Sequence, residues 1–224
     1  MVIRLANVSH DYGGHGLLAG VDLHIAPGTF HFLTGPSGAG KSTLLKLCYG
    51  ELTQNSGEIE VFGQDLRGMS RNALADTRRR IGVIHQDCQF LDHLTLAENV
   101  ALPFVATGRP VPEADLHELL TWVGLERQAN ALPPTLSGGE RQRAALARAV
   151  IMSPDVVLAD EPTGNVDWDM SQRLLALLVE LNRMGTAVMI ATHDLNLIRT
   201  AKSQVSARNL RIADNTLQSA GSDL

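Results

Sequence analysis

Gly35-Pro36-Ser37-Gly38-Ala39-Gly40-Lys41-Ser42 fills every fixed position of the pattern GxxxxGK[ST]. Glycines suit a loop that wraps phosphates, because backbone N–H groups must come close and side chains would obstruct them. A helix pattern opens at Lys41, so its positive N-terminal end falls on the same anion. In such chemistry Lys41 neutralises charge between the β- and γ-phosphates and the Ser42 hydroxyl ligates Mg²⁺, with Thr43 beside it in the cradle. Local dipoles and one lysine thus allow an acidic chain to hold a polyanion.

Val156-Val157-Leu158-Ala159-Asp160-Glu161 is an apolar run that ends in two carboxylates. At the carboxyl end of a buried strand, Asp160 is placed to hold Mg²⁺ or its water shell. Glu161, on the other side of the pleat, is placed to polarise an attacking water as general base. An apolar run followed by two acids is a common surface pattern. Beside the loop at Gly35–Ser42 it supplies the other half of a Mg–ATP site. A third element, Leu136-Ser137-Gly138-Gly139-Glu140, precedes a helix pattern and exposes N–H groups at a second helix start, a second anion site.

The elements that must carry these residues alternate between strand and helix. Val2–Leu5, Val21–Ile25 and Thr29–Thr34 read as strands, the last running into the glycine loop, and Lys41–Cys48 reads as a helix. Glu58–Phe62 alternates as a half-exposed strand, and Ile81–His85 is a short buried strand leading to Gln86. Between about 87 and 152 the texture changes. Leu94–Phe104, Pro112–Val123 and Glu140–Met152 read as helices between Gly and Pro punctuation, which predicts a helical subdomain inserted into an α/β core. The core resumes with Val156–Ala159, a helix over about Asp169–Met184, and the buried strand Thr186–Ala191, so the sheet is expected to have a largely parallel core. The last twenty residues carry little signal.

Composition narrows the rest. The 224 residues include 19 Lys and Arg against 24 Asp and Glu, a net charge of −5, which argues against general nucleic-acid binding. No apolar stretch approaches a membrane span, and the opening MVIRLANVSHDYGG shows no secretory signal. Cys48 and Cys88 lie in no CxxC or Cys/His spacing, and the histidines show no HxxxH or HExxH pattern. The run Arg78-Arg79-Arg80 reads as a solvated helix end, with a nucleic-acid or lipid patch as the alternative.

Taken in order, these motifs resemble the ATP-binding subunits of ABC (ATP-binding cassette) transporters, over essentially the whole chain. The resemblance implies a P-loop NTPase core in one domain over 1–224, with an N-terminal antiparallel β subdomain, a mixed, largely parallel sheet and the helical insert. It implies that Leu136–Glu140 is the signature motif, whose Ser137, Gly138 and Gly139 cap the γ-phosphate held by the opposite subunit of a homodimer with two ATP molecules at its interface. It places Tyr12, otherwise an ordinary core or surface tyrosine, against adenine. Gln86 becomes the glutamine that touches Mg²⁺ or the lytic water, and His193 in Ala191-Thr192-His193-Asp194 the histidine that contacts the γ-phosphate. Pro162–Asp167 looks like the segment that follows the base, with Val166 where leucine is usual, and His85 stands where phenylalanine is common.

Phe32–Leu47, the Gly164-Asn165 pair and Ala191–Ile198 are most similar to the cell-division branch of that family. That branch implies ATP hydrolysis coupled to an integral, FtsX-like membrane partner docked near Gln86–Leu96, and a peripheral place on the cytoplasmic face of the inner membrane. The lipoprotein-release and macrolide-export branches share many of these residues, and importers the general pattern. A nucleotide-gated scaffold with little turnover needs the same site.

Overall fold

The computed structural model describes residues 1–164 and 166–219, with the backbone alone for His15. Strands β1 (Ile3–Tyr12), β2 (His15–Ile25), β4 (Ser56–Val61) and β5 (Gln64–Asp65) form an antiparallel sheet in the order β2-β1-β4-β5. The second sheet takes β3 (Phe30–Thr34), β6 (Ile81–Ile84), β7 (Val156–Asp160), β8 (Ala187–Ala191), β9 (Ala207–Ala213) and β10 (Thr216–Ser219) in the order β10-β9-β3-β8-β7-β6. All its pairs are parallel except the edge pair β10–β9. The mixed, largely parallel sheet and the antiparallel N-terminal sheet are thus both present as expected.

The central strands alternate between two apolar layers, as a period of two requires. Val157, Ala159, Val188 and Ile190 face a cluster with Phe30, Phe32 and the helices, while Val156, Leu158, Ala187 and Met189 face the other way. That second cluster also holds Ile3, Val8 and Ile59 of the antiparallel sheet and Leu44, Leu45 and Leu47 of α1 (Lys41–Cys48). Helix α1 therefore packs within the layer that joins the two sheets.

Helices α3 (Leu96–Thr107), α4 (Glu113–Trp122) and α5 (Gly138–Val150) make up the expected insert. Its buried Leu96, Val100, Phe104, Leu120 and Val123 belong to the same cluster as Phe30, Phe32 and Ile84 of the sheet, so insert and core share one hydrophobic interior. Close contact with β6 seats α5. A Cβ at Gly82 would lie 2.4 Å from the Ala149 carbonyl oxygen, so only glycine lets that strand and helix approach this far.

One difference from the expected elements has a plain cause. The last twenty residues carry little sequence signal, yet they include β9 and β10, which follow α6 (Trp168–Arg183), β8 and α7 (Leu195–Lys202). In β9 the inward positions include Asn209 as well as Ile212, and Arg208 and Arg211 point outward, which hides the strand in a hydropathy reading. The basic run Arg78–Arg80 closes α2 (Arg71–Arg79) as the exposed helix end that was expected, and each arginine also makes a contact. Arg78 donates to the carbonyls of Tyr49 and Gly50, Arg79 pairs with Asp76, and Arg80 pairs with Asp155 and lies 3.7 Å over the Phe62 ring. Among the described residues, no helix is long and apolar enough to cross a membrane.

Candidate functional site

Parallel β6, β7, β8 and β3 stand side by side with their carboxyl ends nearly level, since Ile84 pairs with Ala159, Asp160 with Ala191, and Ala191 with Leu33. The carboxyl edge of a parallel sheet is where open α/β folds bind ligands. Here that edge presents Gln86 beyond β6, Asp160 and Glu161 after β7, His193 after β8, and the glycine loop after β3. All of these line one cavity of about 680 Å³, together with Lys41, Ser42, Thr43 and Leu17. Residues as far apart in the chain as Leu17 and His193 thus meet at one place. Gln86, expected at the strand end, lies two residues beyond it.

The loop is shaped by backbone conformation. At Gly35 φ is +148°, and an added Cβ would meet the Ile212 carbonyl oxygen at 2.8 Å. Ala39, whose N–H donates to the Pro36 carbonyl (3.2 Å), closes the turn, and Gly40 caps α1 with no side-chain hydrogen bond. The N–H of Leu44 bonds back to Gly40, and the residues of the turn before it, Gly40 to Thr43, whose N–H groups have no place in the helical ladder, line the cavity. Lys41 Nζ donates to the carbonyls of Gly35 (2.9 Å) and Pro36 (3.1 Å), which arches the side chain over the loop. Tyr12 does not line the cavity but stands next to a residue that does: half exposed, its hydroxyl lies 3.3 Å from Thr43 Oγ1 and its ring packs edge-on against His10.

Burial pushes the Asp160 carboxyl above its ordinary range; the Ser42 hydroxyl bonded to it works against this, the Glu161 charge adds to it and Lys41 opposes it. Oxygen donors from Ser42, Asp160 and Gln86 share the cavity, a hard-ligand set that suits Mg²⁺ completed by phosphate and water. Among the described residues, no group of three or more His, Cys, Asp or Glu could hold a metal ion. The residues present fit a Mg–nucleotide.

Glu161 adopts an unusual backbone for a residue with a side chain, φ +47°. Its N–H donates to Ala191 (2.9 Å), its carbonyl accepts from Gly164 N–H (3.2 Å), and its Oε1 lies 2.8 Å from His193 Nδ1. His193 is 80% exposed and Glu161 16%, so the pair closes the cavity with the carboxylate inside and the imidazole at the mouth. Of Pro162–Asp167, Asn165 lies outside the described residues.

Ser137, Gly138 and Gly139 do not line this cavity. Ser137 caps α5 in a reciprocal box: its Oγ accepts from the Glu140 N–H (3.3 Å), and its own N–H and hydroxyl both donate to Glu140 Oε2 (2.8 Å). Those bonds hold the Glu140 carboxyl below its usual range. The starts of α1 and α5 therefore lie at separate places in this chain. Gly138 instead lines a groove of about 570 Å³ with Gln86–Phe90, Asp92, Arg141 and Gln142.

This groove lies between the segment Gln86–Asp92 and the start of α5, and the expected docking segment runs on to Leu96. Of the apolar residues there, Leu96 is fully buried and belongs to the core, Phe90 is half-buried beneath Arg141 and Arg148, and Leu91 is 44% exposed. Sequence reasoning passed over Asn99, whose buried side chain bonds Leu91, Leu94 and Thr95, and over Gln142, whose amide reaches Glu161. The available signal was a polar residue on the apolar face of each helix.

The ABC transporter family profile matches residues 18–164. The cell division ATP-binding protein FtsE of Escherichia coli (strain K12) is 44% identical over 219 residues, which cover 96% of this chain and 97% of that protein. FtsE of Bacillus subtilis (strain 168) is 42% identical over 209 residues, covering 92% of each. The ATP-binding cassette MJ0796, solved as a dimer in a post-hydrolysis state bound to ADP and Pi, superposes with a TM-score of 0.87 at 32% identity and covers 97% of this chain and 98% of that one.

Proposed function

This chain belongs to the ABC transporter family, and from that premise we propose that it is the ATP-hydrolysing subunit of a membrane complex that serves cell division. The observation that carries the reading is the convergence of Lys41, Ser42, Gln86, Asp160, Glu161 and His193 on one cavity headed by the N-terminus of α1.

In this reading the loop Gly35–Thr43 binds the phosphate tail through backbone N–H groups and Lys41, and Tyr12 beside Thr43 stacks on adenine. Ser42, Asp160 and Gln86 would hold Mg²⁺, which when bound supplies charge neutralisation to the β- and γ-phosphate oxygens. Glu161 orients a water against the γ-phosphorus and takes its proton as the new P–O bond forms and the bond to the ADP oxygen breaks. His193 steadies that carboxylate through Nδ1 and offers its other ring nitrogen toward the γ-phosphate. Ser137–Gly139, remote from the cavity within one copy, cover the γ-phosphate of a second copy, so turnover requires a head-to-tail homodimer with two ATP molecules between subunits. The dimeric relative supports this arrangement.

An FtsX-like integral membrane protein would dock along the segment Gln86–Leu96, where exposed Leu91 and half-buried Phe90 offer apolar contact and Gln86 connects the groove to the nucleotide. The subunit would then sit peripherally on the cytoplasmic face of the inner membrane. The names of the relatives support the cell-division assignment. The test is Glu161→Gln: ATP binding is retained, turnover falls by on the order of 10²–10⁴, and an ATP-bound dimer accumulates in size-exclusion chromatography. Undiminished turnover in that variant removes Glu161 from the role of base.

A further inference from the structure

Gln142 is a large polar residue in the middle of α5, only 1% exposed, on the face that also buries Ala145 and Leu146. A buried amide needs partners, and this one has them at both ends. Its Nε2 donates to the backbone carbonyl of Glu161 at 3.0 Å, and its Oε1 faces the thiol of Cys88 at 3.8 Å. One side chain therefore links the helix that begins at Ser137, the residue after β7, and the groove segment that begins at Gln86.

What it holds at Glu161 is the strained part. With φ at +47° the residue occupies a region that L side chains rarely adopt, and such a conformation persists only where surrounding contacts over-determine it. The Ala191 carbonyl fixes the Glu161 N–H, and the Gly164 N–H fixes the carbonyl from the turn side. Gln142 supplies a hydrogen bond to that carbonyl from the helical insert. These bonds together hold the backbone that carries the Glu161 carboxylate beside His193.

We propose that Gln142 is a positioning residue for ATP hydrolysis, holding the Glu161 backbone in the conformation that aims its carboxylate at the lytic water and tying that conformation to the seat of the insert. The inference rests on the assignment of Glu161 as the base. Gln142 touches neither nucleotide nor water; it acts through Glu161.

Two variants test it. Gln142→Met keeps the volume and loses the amide donor, and Gln142→Asn keeps an amide too short to reach the carbonyl. Expected for both is a fall in kcat of about 10- to 100-fold, with the ATP dissociation constant within about twofold of the unmodified protein. Introduced into Glu161→Gln, the same changes should leave the residual single-turnover rate unaltered, because the group they position is already gone. An undiminished kcat in both variants overturns the proposal. So does an equal fold-loss in the Glu161→Gln background, which would show that Gln142 acts elsewhere, or a matching loss of ATP binding, which would show general disruption of the site. If Glu161→Gln alone keeps its turnover, the base assignment has failed instead, and the two failures are told apart by the single variants.

Discussion

Replacing Gly82 with alanine probes how tightly the helix that begins at Ser137 is seated on the sheet. The backbone at Gly82 lies outside the left-handed region, so the added methyl acts by volume alone. Its Cβ would fall 2.4 Å from the Ala149 carbonyl oxygen and 3.0 Å from Pro154 Cγ, where ordinary contact begins at 3.4 Å. The obstacle is backbone, so α5 and β6 must part by about 1 Å at this point (3.4 less 2.4). Overpacking of this kind costs about 1–3 kcal/mol. For a chain of this size that lowers the thermal midpoint by roughly 2–12 °C. A displacement of that order at Gln142 and Ser137 should also lower ATP turnover by up to about 100-fold. The loop Gly35–Thr43, carried by β3 and α1, should keep its affinity for ATP. Urea and thermal unfolding give the first quantity, steady-state phosphate release the second, and fluorescent-nucleotide titration the third. Gly68→Ala is the control, since nothing lies within 4 Å of its Cβ and its φ is ordinary. A Gly82→Ala protein as stable and as active as that control would refute the close seating of α5 and the link drawn from it to the site.

Asn99→Ala should cost about 1–3 kcal/mol, because it removes the side-chain partner of the Leu91 N–H and of three carbonyls in the 91–95 segment, of which only those of Leu91 and Thr95 keep a backbone bond among the described residues. Amide hydrogen exchange across 91–95 should quicken, and unchanged exchange there would show that the segment is held by something else. His31 makes stability depend on pH. Burial, with Arg208 and His24 nearby, lowers its pKa from 6.5 to about 4, and its buried Nδ1 has no hydrogen-bond partner among the described residues. The unfolded chain therefore takes up the proton first, and stability fully present above pH 6.5 is lost as pH falls toward 4, the loss reaching about 2 kcal/mol at pH 5. His31→Phe should flatten that slope in urea titrations at pH 5 and 7; equal slopes would remove His31 as its source.

The nucleotide loop was legible from residue types and spacing because its chemistry is local. Eight consecutive residues carry the glycines, the lysine and the hydroxyl, and a strand pattern on one side and a helix pattern on the other set their frame. The same holds for Ser137–Glu140, whose capping box closes within three residues, and for helix α1, whose bounds at Lys41 and Cys48 match the expectation. The insert was legible from its Gly and Pro punctuation, and its helices share one hydrophobic interior with the sheet. The C-terminal strands were not. β9 is held in place by pairing with β3, residues Phe30–Thr34 against Ala207–Arg211, and a strand defined by its neighbour need not advertise itself in hydropathy.

Other features depend on contacts between residues far apart in the chain, which no window of sequence contains. The pairing of Glu161 with His193 spans 32 positions, and that of Gln142 with the Glu161 carbonyl spans 19. The left-handed backbone at Glu161 has no signature in its residue type, since glutamate does not ask for it; contacts from β8, α5 and the following turn impose it. Residue types and short spacings thus established which phosphate chemistry is available and where it begins. The level ends of four parallel strands, a property of sheet register, established which distant side chains share the cavity and which, like Ser137, remain outside it.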